Sequence, residues 1–231
     1  MKALDRGLFI TIEGTDGSGK ATQSKLVVNK LRRFGHSVLK CDFPRYAEPS
    51  AWFVTKYLNG NFGTLEEVSA RKASLFYALD RFAAATKIIT ALEKGRIVVS
   101  DRFVASNLAH QGSKINDYLE RRQFMRWAEE LEFGTLGIPR PDYNIILFVT
   151  PEISQALVDQ KTPRKHLKGK KRDIQEDNLD HLTKTYRVYR ELVKRDPIRY
   201  RAVECVESGE LLPIPAVFEK VSAEIRKIEI I

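Results

Sequence analysis

A chain of 231 residues, 43% of them hydrophobic, is long enough for one sizeable core, and we expect a single domain over residues 1–231. No apolar run approaches the roughly 20 residues of a membrane-spanning helix. Residues 1–7 also lack the apolar centre of a signal peptide, so we expect a cytoplasmic protein with no membrane partner. The 39 basic and 30 acidic residues give a net charge of +9, which favours polyanionic partners, either nucleotides or nucleic acid.

A glycine-rich loop lies between the first predicted strand, residues 8–12, and an amphipathic helix predicted from 21 to 34. Its sequence from 14 to 20 is GTDGSGK, which matches the G-x-x-x-x-G-K part of the phosphate-binding pattern. The backbone N–H groups of such a loop surround phosphate oxygens, while the helix dipole and the Lys20 ammonium add positive potential. The phosphate loop is residues 14–21. The predicted nucleotide-phosphate site is this loop together with the next residue: Gly14, Thr15, Asp16, Gly17, Ser18, Gly19, Lys20, Ala21 and Thr22.

The phosphate loop departs from the pattern at one position. The residue after the lysine is normally Ser or Thr, whose hydroxyl reaches Mg²⁺, but here it is Ala21, and Thr22 comes one place too late. Mg²⁺ would then be held by nucleotide oxygens, water and Asp101, with Asp16 as a further candidate.

Strand and helix patterns alternate along the rest of the chain. Strands are predicted at 37–41, 97–101, 143–149 and 201–206, and helices at 49–58, 65–93, 115–133, 151–159, 175–196 and 213–227. The long helix has an apolar stripe that we expect to face the core: Leu75, Leu79, Phe82, Ile89 and Leu92. Five alternations predict a three-layer α/β fold of the P-loop NTPase type, with a five-stranded parallel sheet flanked by helices.

Asp101 ends an apolar strand about 80 residues beyond Lys20, where a phosphate-binding enzyme needs a carboxylate for its metal. A helix N-cap is the alternative role for this residue. Arg102 follows at once, and its guanidinium is well placed to hold a second phosphate. The basic segment KTPRKHLKGKKR, residues 161–172, predicts a solvated loop or a nucleic-acid arm.

Five motifs in this order resemble those of thymidylate kinases, which phosphorylate dTMP to dTDP with ATP and Mg²⁺. They are IEGTDGSGK (12–20), FPRY (43–46), YALDR (77–81), DRFVASNLAHQG (101–112) and PRPDY (139–143). The resemblance covers nearly the whole chain and implies ATP and dTMP as substrates, Mg²⁺ as cofactor and a homodimer. It also implies that Asp16 lies near the acceptor sugar and phosphate.

The resemblance also implies which residues bind the acceptor nucleotide. Phe43 and Arg45 match the segment that contacts the monophosphate, with Arg45 and Arg102 on its phosphate. Tyr77 matches an aromatic residue that stacks on thymine, and Arg81, one helical turn later, matches the residue that reads a base carbonyl.

The residues that follow Arg102 complete the implied site. Ser106, Asn107 and Gln111 match base and sugar contacts, and either Asn107 or Gln111 can accept the thymine N3–H. His110 stands where many members have a tyrosine that crowds a ribose 2′-hydroxyl, which leaves deoxyribose selectivity open.

Residues 160–173 match the family's lid over ATP. Because the phosphate loop has Lys20 as its one basic residue, we infer that the lid supplies transition-state charge, through Arg164 or Arg172, with Lys165 and Lys171 as weaker candidates. The predicted catalytic residues are Asp16, Lys20, Arg102, Arg164 and Arg172.

Two other functions fit part of the sequence. A kinase for another nucleoside monophosphate, or for a deoxynucleoside, would use the same phosphate loop. A P-loop ATPase that binds nucleic acid would also suit the charge, but the chain lacks a basic face interleaved with aromatic residues. We therefore expect no nucleic-acid partner.

Overall fold

The computed structural model describes residues 6–159 and 178–227. Five parallel strands form one sheet in the order β2-β3-β1-β4-β5. They are β1 (Phe9–Gly14), β2 (Val38–Asp42), β3 (Ile97–Asp101), β4 (Tyr143–Phe148) and β5 (Tyr200–Glu204). The predicted fold class is confirmed.

Helices cover both faces of the sheet because the central strands are apolar on both sides. On one face, Ile10, Ile12 and Val99 pack against α1 (Lys20–Arg33) and α8 (Ile214–Arg226). On the other, Phe9, Val98 and Ile146 pack in a second core. The helices that contribute buried residues to this second core are α3 (Ala70–Glu93), α4 (Val104–Gly112), α5 (Tyr118–Glu129) and α7 (Leu179–Arg195).

Several smaller elements connect or follow these. A 3₁₀ turn, Pro49–Ala51, leads into α2 (Trp52–Leu58), α6 (Pro151–Asp159) follows β4, and a short hairpin joins β6 (Val206–Glu207) to β7 (Glu210–Leu211). None of the helices between residues 6 and 159 or 178 and 227 is both long and apolar enough to span a bilayer.

The predicted core stripe of the long helix is wrong for three of its five residues. Leu75, Leu79 and Phe82 are 41%, 44% and 50% exposed. The buried face of α3 instead carries mainly small residues, Ala73, Ala78, Ala84, Ala85 and Ala91, together with Ile88. Small side chains let α3 lie close to its neighbours, so its larger apolar residues are left on the opposite face.

Two predicted helices also have different bounds. The helix predicted from 65 begins at Ala70, where the Ser69 hydroxyl caps the N–H of Lys72. The helix predicted over 115–133 is α5 followed by a π-helical turn, Glu130–Thr135. The segment 160–177 lies outside the described residues. It contains the start of the helix predicted at 175 and the candidates Arg164, Lys165, Lys171 and Arg172.

Candidate functional site

The carboxyl ends of β1, β2 and β3 meet at one edge of the sheet, where open α/β folds bind ligands. Ile12 is level with Asp101 across β1 and β3, and Asp101 is level with Asp42 across β3 and β2. The phosphate loop and Arg102 leave the sheet at this same edge. The topology thus brings together residues that are almost 90 positions apart in the chain.

The phosphate loop curves around the side chain of Lys20, the first residue of α1. Its Nζ donates to the carbonyl oxygen of Thr15 at 2.6 Å and to Ser18 Oγ at 3.4 Å. Both acceptors belong to the loop, so the buried ammonium holds the loop closed from within. A lysine in this position can exchange loop oxygens for phosphate oxygens when a nucleotide binds.

The loop is also packed against the start of α6. Thr15 Oγ1 lies 3.1 Å from Ser154 Oγ. A Cβ atom on Gly17 would lie 2.2 Å from the carbonyl oxygen of Ser154. Glycine is required at position 17 because no side chain fits between the loop and the helix.

Two adjacent clefts open at the edge of the sheet. The loop cleft is lined by seven residues of the predicted phosphate site, Asp16 to Thr22, and by Asp101 and Leu157 among others. The inner cleft contains the predicted acceptor residues Phe43, Tyr77, Arg81, Arg102, Ser106, Asn107, His110 and Gln111. Five residues line both clefts and form the wall between them: Asp16, Phe43, Pro44, Tyr46 and Arg102.

Gly14 and Thr15, also predicted as phosphate ligands, do not line the loop cleft. The carbonyl oxygen of Gly14 accepts from Arg102 Nη1 at 3.1 Å, and Thr15 is buried beneath the loop. These two loop residues therefore face the protein interior and not the cleft.

Arg102 is the central residue of the shared wall. Its Nη2 donates to Asp16 Oδ1 at 2.5 Å, and its Nη1 donates to Ser106 Oγ at 3.1 Å. The backbone of Arg102 is left-handed, with φ 62°, a conformation that costs a residue with a side chain about 1–2 kcal/mol. Its N–H donates to the carbonyl of Ile12 and its own carbonyl accepts from Ser100 Oγ, so both backbone groups are satisfied.

His110 is neutral at the back of the inner cleft. Arg102 Nη1 lies 3.2 Å from His110 Nε2, and because a guanidinium can only donate, this nitrogen accepts and the ring proton is on Nδ1. Burial, reinforced by the charge of Arg102, places the pKa of His110 well below its usual value. His110 therefore helps to orient Arg102 without adding a positive charge.

A buried carboxylate lies beneath the phosphate loop. Glu13 Oε2 accepts from Ser106 Oγ at 2.6 Å and from Tyr189 Oη at 3.4 Å. Burial raises the pKa of Glu13, while the hydrogen bond from Ser106 and the charge of Arg102 act in the opposite direction. Arg102 thus has a second acidic side chain behind it, besides Asp16.

The far end of the inner cleft carries Tyr77, Arg81 and Asn107. Arg81 Nε and Nη2 donate to the two carboxylate oxygens of Glu132 at 2.5 and 2.6 Å. Asn107 Nδ2 donates to Glu132 Oε1 at 3.0 Å. Arg81 and Asn107, two of the candidates for reading the base, are therefore joined through one buried carboxylate.

Arg45 does not line either cleft. Its Nε donates to Asp80 Oδ1 at 3.1 Å, and its Nη2 donates to Ser50 Oγ at 2.7 Å. Asp80 also accepts from the backbone N–H of Arg45 at 2.8 Å. This carboxylate fixes the loop after β2, and the role of Arg45 on a substrate phosphate stays a prediction.

Asp101 lines the loop cleft, as a metal ligand opposite the phosphates should. Burial raises the pKa of Asp101, and the charges of Lys20 and Arg102 act against that shift. No group of three or more His, Cys, Asp or Glu side chains that could hold a metal occurs within residues 6–159 and 178–227. The Asp101 carboxylate can contribute oxygen to a metal that takes its other oxygens from nucleotide phosphates and water.

The residues predicted from the sequence leave out several that the structure places at the site, among them Pro44, Tyr46 and Glu132. Tyr46 lines both clefts. Its place in the FPRY motif could have indicated that it belongs to the site. Glu132 had no local signal, because its partners Arg81 and Asn107 lie 51 and 25 positions away.

Comparison with known proteins gives one consistent family. The family model described as Thymidylate kinase matches residues 12–211. A thymidylate kinase of Mycobacterium tuberculosis is 34% identical over 187 residues, which cover 80% of this chain and 85% of the relative. One of Bacillus licheniformis is 30% identical over 210 residues, covering 89% and 91%.

A solved structure has the same fold. The thymidylate kinase from Candida albicans superposes with a TM-score of 0.73 at 22% identity, covering 97% of this chain and 93% of that chain. At this level of identity the match concerns the fold alone.

Proposed function

This chain belongs to the thymidylate kinase family, and we propose that it transfers the γ-phosphoryl group of ATP to the phosphate of dTMP, forming dTDP. The observation that carries the proposal is the wall shared by the two clefts. Asp16 and Arg102 face both the phosphate loop and the predicted nucleoside-monophosphate residues. Two phosphates approaching from opposite sides would meet at these side chains.

In this proposal the loop cleft binds ATP. The backbone N–H groups of the phosphate loop and the N-terminus of α1 bind the phosphates, and Lys20 neutralises charge on them. Phosphoryl transfer needs positioning and neutralisation of charge more than a strong base. Lys20 therefore contributes mainly electrostatic stabilisation.

The inner cleft binds dTMP. Arg102 holds the acceptor phosphate and counters its charge, so that it can approach the phosphates of ATP. Asp16 orients the Arg102 fork through their ion pair, and the neutral His110 adds no competing charge. Tyr77 stacks on the base, and Arg81 and Asn107 contact its polar edge.

Mg²⁺ would be held by Asp101, with Asp16 as a second candidate, together with ATP oxygens and water. When bound, it would neutralise phosphate charge. The residues of this chain would keep the two phosphates aligned and exclude water from the space between them.

We further propose a cytoplasmic homodimer. Large exposed apolar side chains of α2, of the loop after it and of α3 make up an apolar patch. The patch contains Trp52, Phe53, Phe62, Leu75, Leu79 and Phe82, each at least 39% exposed. Patches of this kind are typical of protein interfaces, and a second copy of the chain would cover this one.

Steady-state rates with dTMP, dUMP, UMP, CMP and AMP, each with ATP and Mg²⁺, test the substrate. We expect dTMP to give the highest kcat/KM. The matched control is Lys20→Met, which should lower kcat by about 10²–10³ without changing the order of substrates. Preference for CMP or AMP would contradict the thymine assignment, and an ATPase independent of dTMP but stimulated by DNA would support the nucleic-acid alternative.

A further inference from the structure

Glu132 lies behind the base end of the inner cleft and is not one of the residues that line it. Its side chain is completely buried, and both carboxylate oxygens accept hydrogen bonds from Arg81. The two bonds form a parallel fork, the geometry that fixes a guanidinium most firmly. Arg81 is itself only 2% exposed, so the fork leaves its side chain a single orientation.

The same carboxylate determines which way the Asn107 amide faces. Asn107 Nδ2 lies 3.0 Å from Glu132 Oε1 and 3.5 Å from the carbonyl oxygen of Ser74. Carboxylate and carbonyl oxygens can only accept, so the NH₂ group must face them. Asn107 Oδ1 is then turned away, and it is buried with no partner among the described residues.

Glu132 is held in place by its own backbone. It lies in the π-helical turn Glu130–Thr135, and its carbonyl oxygen accepts from the N–H of Ile138 at 2.9 Å. The N–H of Leu136 donates to the carbonyl of Leu131 at 2.9 Å. These bonds fix the turn, and the turn fixes the carboxylate.

We infer that Glu132 is a positioning residue that makes the site selective for a pyrimidine with a 4-oxo group and an N3–H. This inference rests on the proposed function. The fork presents Arg81 as a donor and the amide orientation presents Asn107 Oδ1 as an acceptor. Thymine offers the complementary O4 acceptor and N3–H donor, whereas cytosine offers an N4 donor and an N3 acceptor at the same places. Cytosine would leave both buried groups of the protein unpaired.

The test compares dTMP with dCMP in Glu132→Gln and Glu132→Asp. In Glu132→Gln, the glutamine NH₂ group can donate to Asn107 Oδ1. The Asn107 amide is then turned over, and its Nδ2 can donate to cytosine N3. We expect Glu132→Gln to raise KM for dTMP by about tenfold or more, with a smaller change in kcat, and to reduce the dTMP:dCMP ratio of kcat/KM by at least about tenfold. Glu132→Asp keeps an acceptor-only group and should keep that ratio within about threefold of wild type.

A purely structural role would affect both nucleotides equally. The KM for ATP is the internal control, because the Glu132 side chain accepts from Arg81 and Asn107, and neither of them lines the loop cleft. An unchanged dTMP:dCMP ratio in Glu132→Gln, or an equal loss for both nucleotides, would overturn the inference. Calorimetry measures the binding of dTMP and dCMP and gives the same ratio without turnover. If the wild type binds these nucleotides but does not phosphorylate them, only the proposed function is contradicted.

A single substitution could leave Arg81 as an unpaired buried charge and prevent folding. The double variant R81Q/E132Q removes both charges and is then measured in its place. The comparison is with Arg81→Gln alone: we expect the double variant to have the lower dTMP:dCMP ratio because Asn107 is then free to turn, and equal ratios in the two variants would overturn the inference.

Discussion

Ala21 lines the loop cleft with a methyl group, at the position where a hydroxyl normally reaches Mg²⁺. We expect Ala21→Ser to lower the Mg²⁺ concentration that gives half-maximal rate by about 3- to 10-fold, equivalent to roughly 1 kcal/mol. The measurement is a Mg²⁺ titration at saturating ATP and dTMP. Thr22→Ala is the matched control, because this hydroxyl lies one place too late and its loss should not change the titration. An unchanged requirement in Ala21→Ser would contradict this view of the metal site.

Motifs singled out individual residues whose positions in the structure differ. Tyr77 and Arg81 are four residues apart on one helix and both line the inner cleft, while their contacts with a base stay predictions. Arg45 belonged to an equally good motif, yet Asp80 holds it outside both clefts. A motif indicates which side chains are candidates for binding a ligand. Where each side chain lies also depends on hydrogen-bond partners from distant segments, such as Asp80 for Arg45.

At the scale of elements, the segment 160–173 has the most direct test. The phosphate loop supplies Lys20, and the shared wall supplies Arg102, so a transition state with three charged oxygens calls for further positive charge. We expect at least one of Arg164→Ala and Arg172→Ala to lower kcat by about 10³, with little change in the KM for dTMP. Lys168→Ala removes a charge from the same segment and should have a small effect. Rates near wild type for both arginine variants would contradict the lid assignment.

Strands were easier to predict than helix faces. The central parallel strands have nearly continuous apolar sequences, and all five strands were placed within two residues of their observed bounds. The faces of α3 could not be assigned from periodicity, because the side that packs inward uses alanine and the larger apolar residues lie outside. The π-helical turn after α5 depends on bonds to residues beyond the helix, which no local pattern contains.

At the scale of the whole molecule, the exposed patch on α2 and α3 predicts the oligomeric state. We expect the wild-type protein to be a dimer at micromolar concentration and Phe82→Glu to shift it towards monomer, because a charge would be buried without a partner. Analytical ultracentrifugation measures the mass directly. Leu119 is 65% exposed on α5, so Leu119→Glu is a control that should stay dimeric. A monomeric wild type would contradict the proposal.

Stability should fall in mild acid because two histidines are buried in the neutral form. Burial, with the charge of Lys114, lowers the pKa of His181 to about 4, and the pKa of His110 is lowered as well. Between pH 6.5 and 4 the unfolded chain binds protons that the folded protein cannot. The free energy of unfolding therefore decreases as pH falls through this window, by up to about 1.4 kcal/mol per unit for each histidine.

Urea unfolding at a series of pH values tests this expectation. His181→Gln should flatten the dependence between pH 6.5 and 4. Parallel curves for wild type and His181→Gln would show that His181 does not carry the effect.

The contact between Gly17 and Ser154 changes how a mutational scan of the phosphate loop should be interpreted. Any side chain at position 17 collides with the backbone of α6, so loss of activity there reports damaged packing as well as weaker ATP binding. At Gly19 a Cβ would meet no atom within 4 Å, and alanine would bear only the cost of its left-handed backbone, about 1 kcal/mol. Gly17→Ala should therefore lower the melting temperature clearly more than Gly19→Ala, and equal losses would show that the contact is unimportant. Position 19, and not 17, is where a scan would measure nucleotide binding itself.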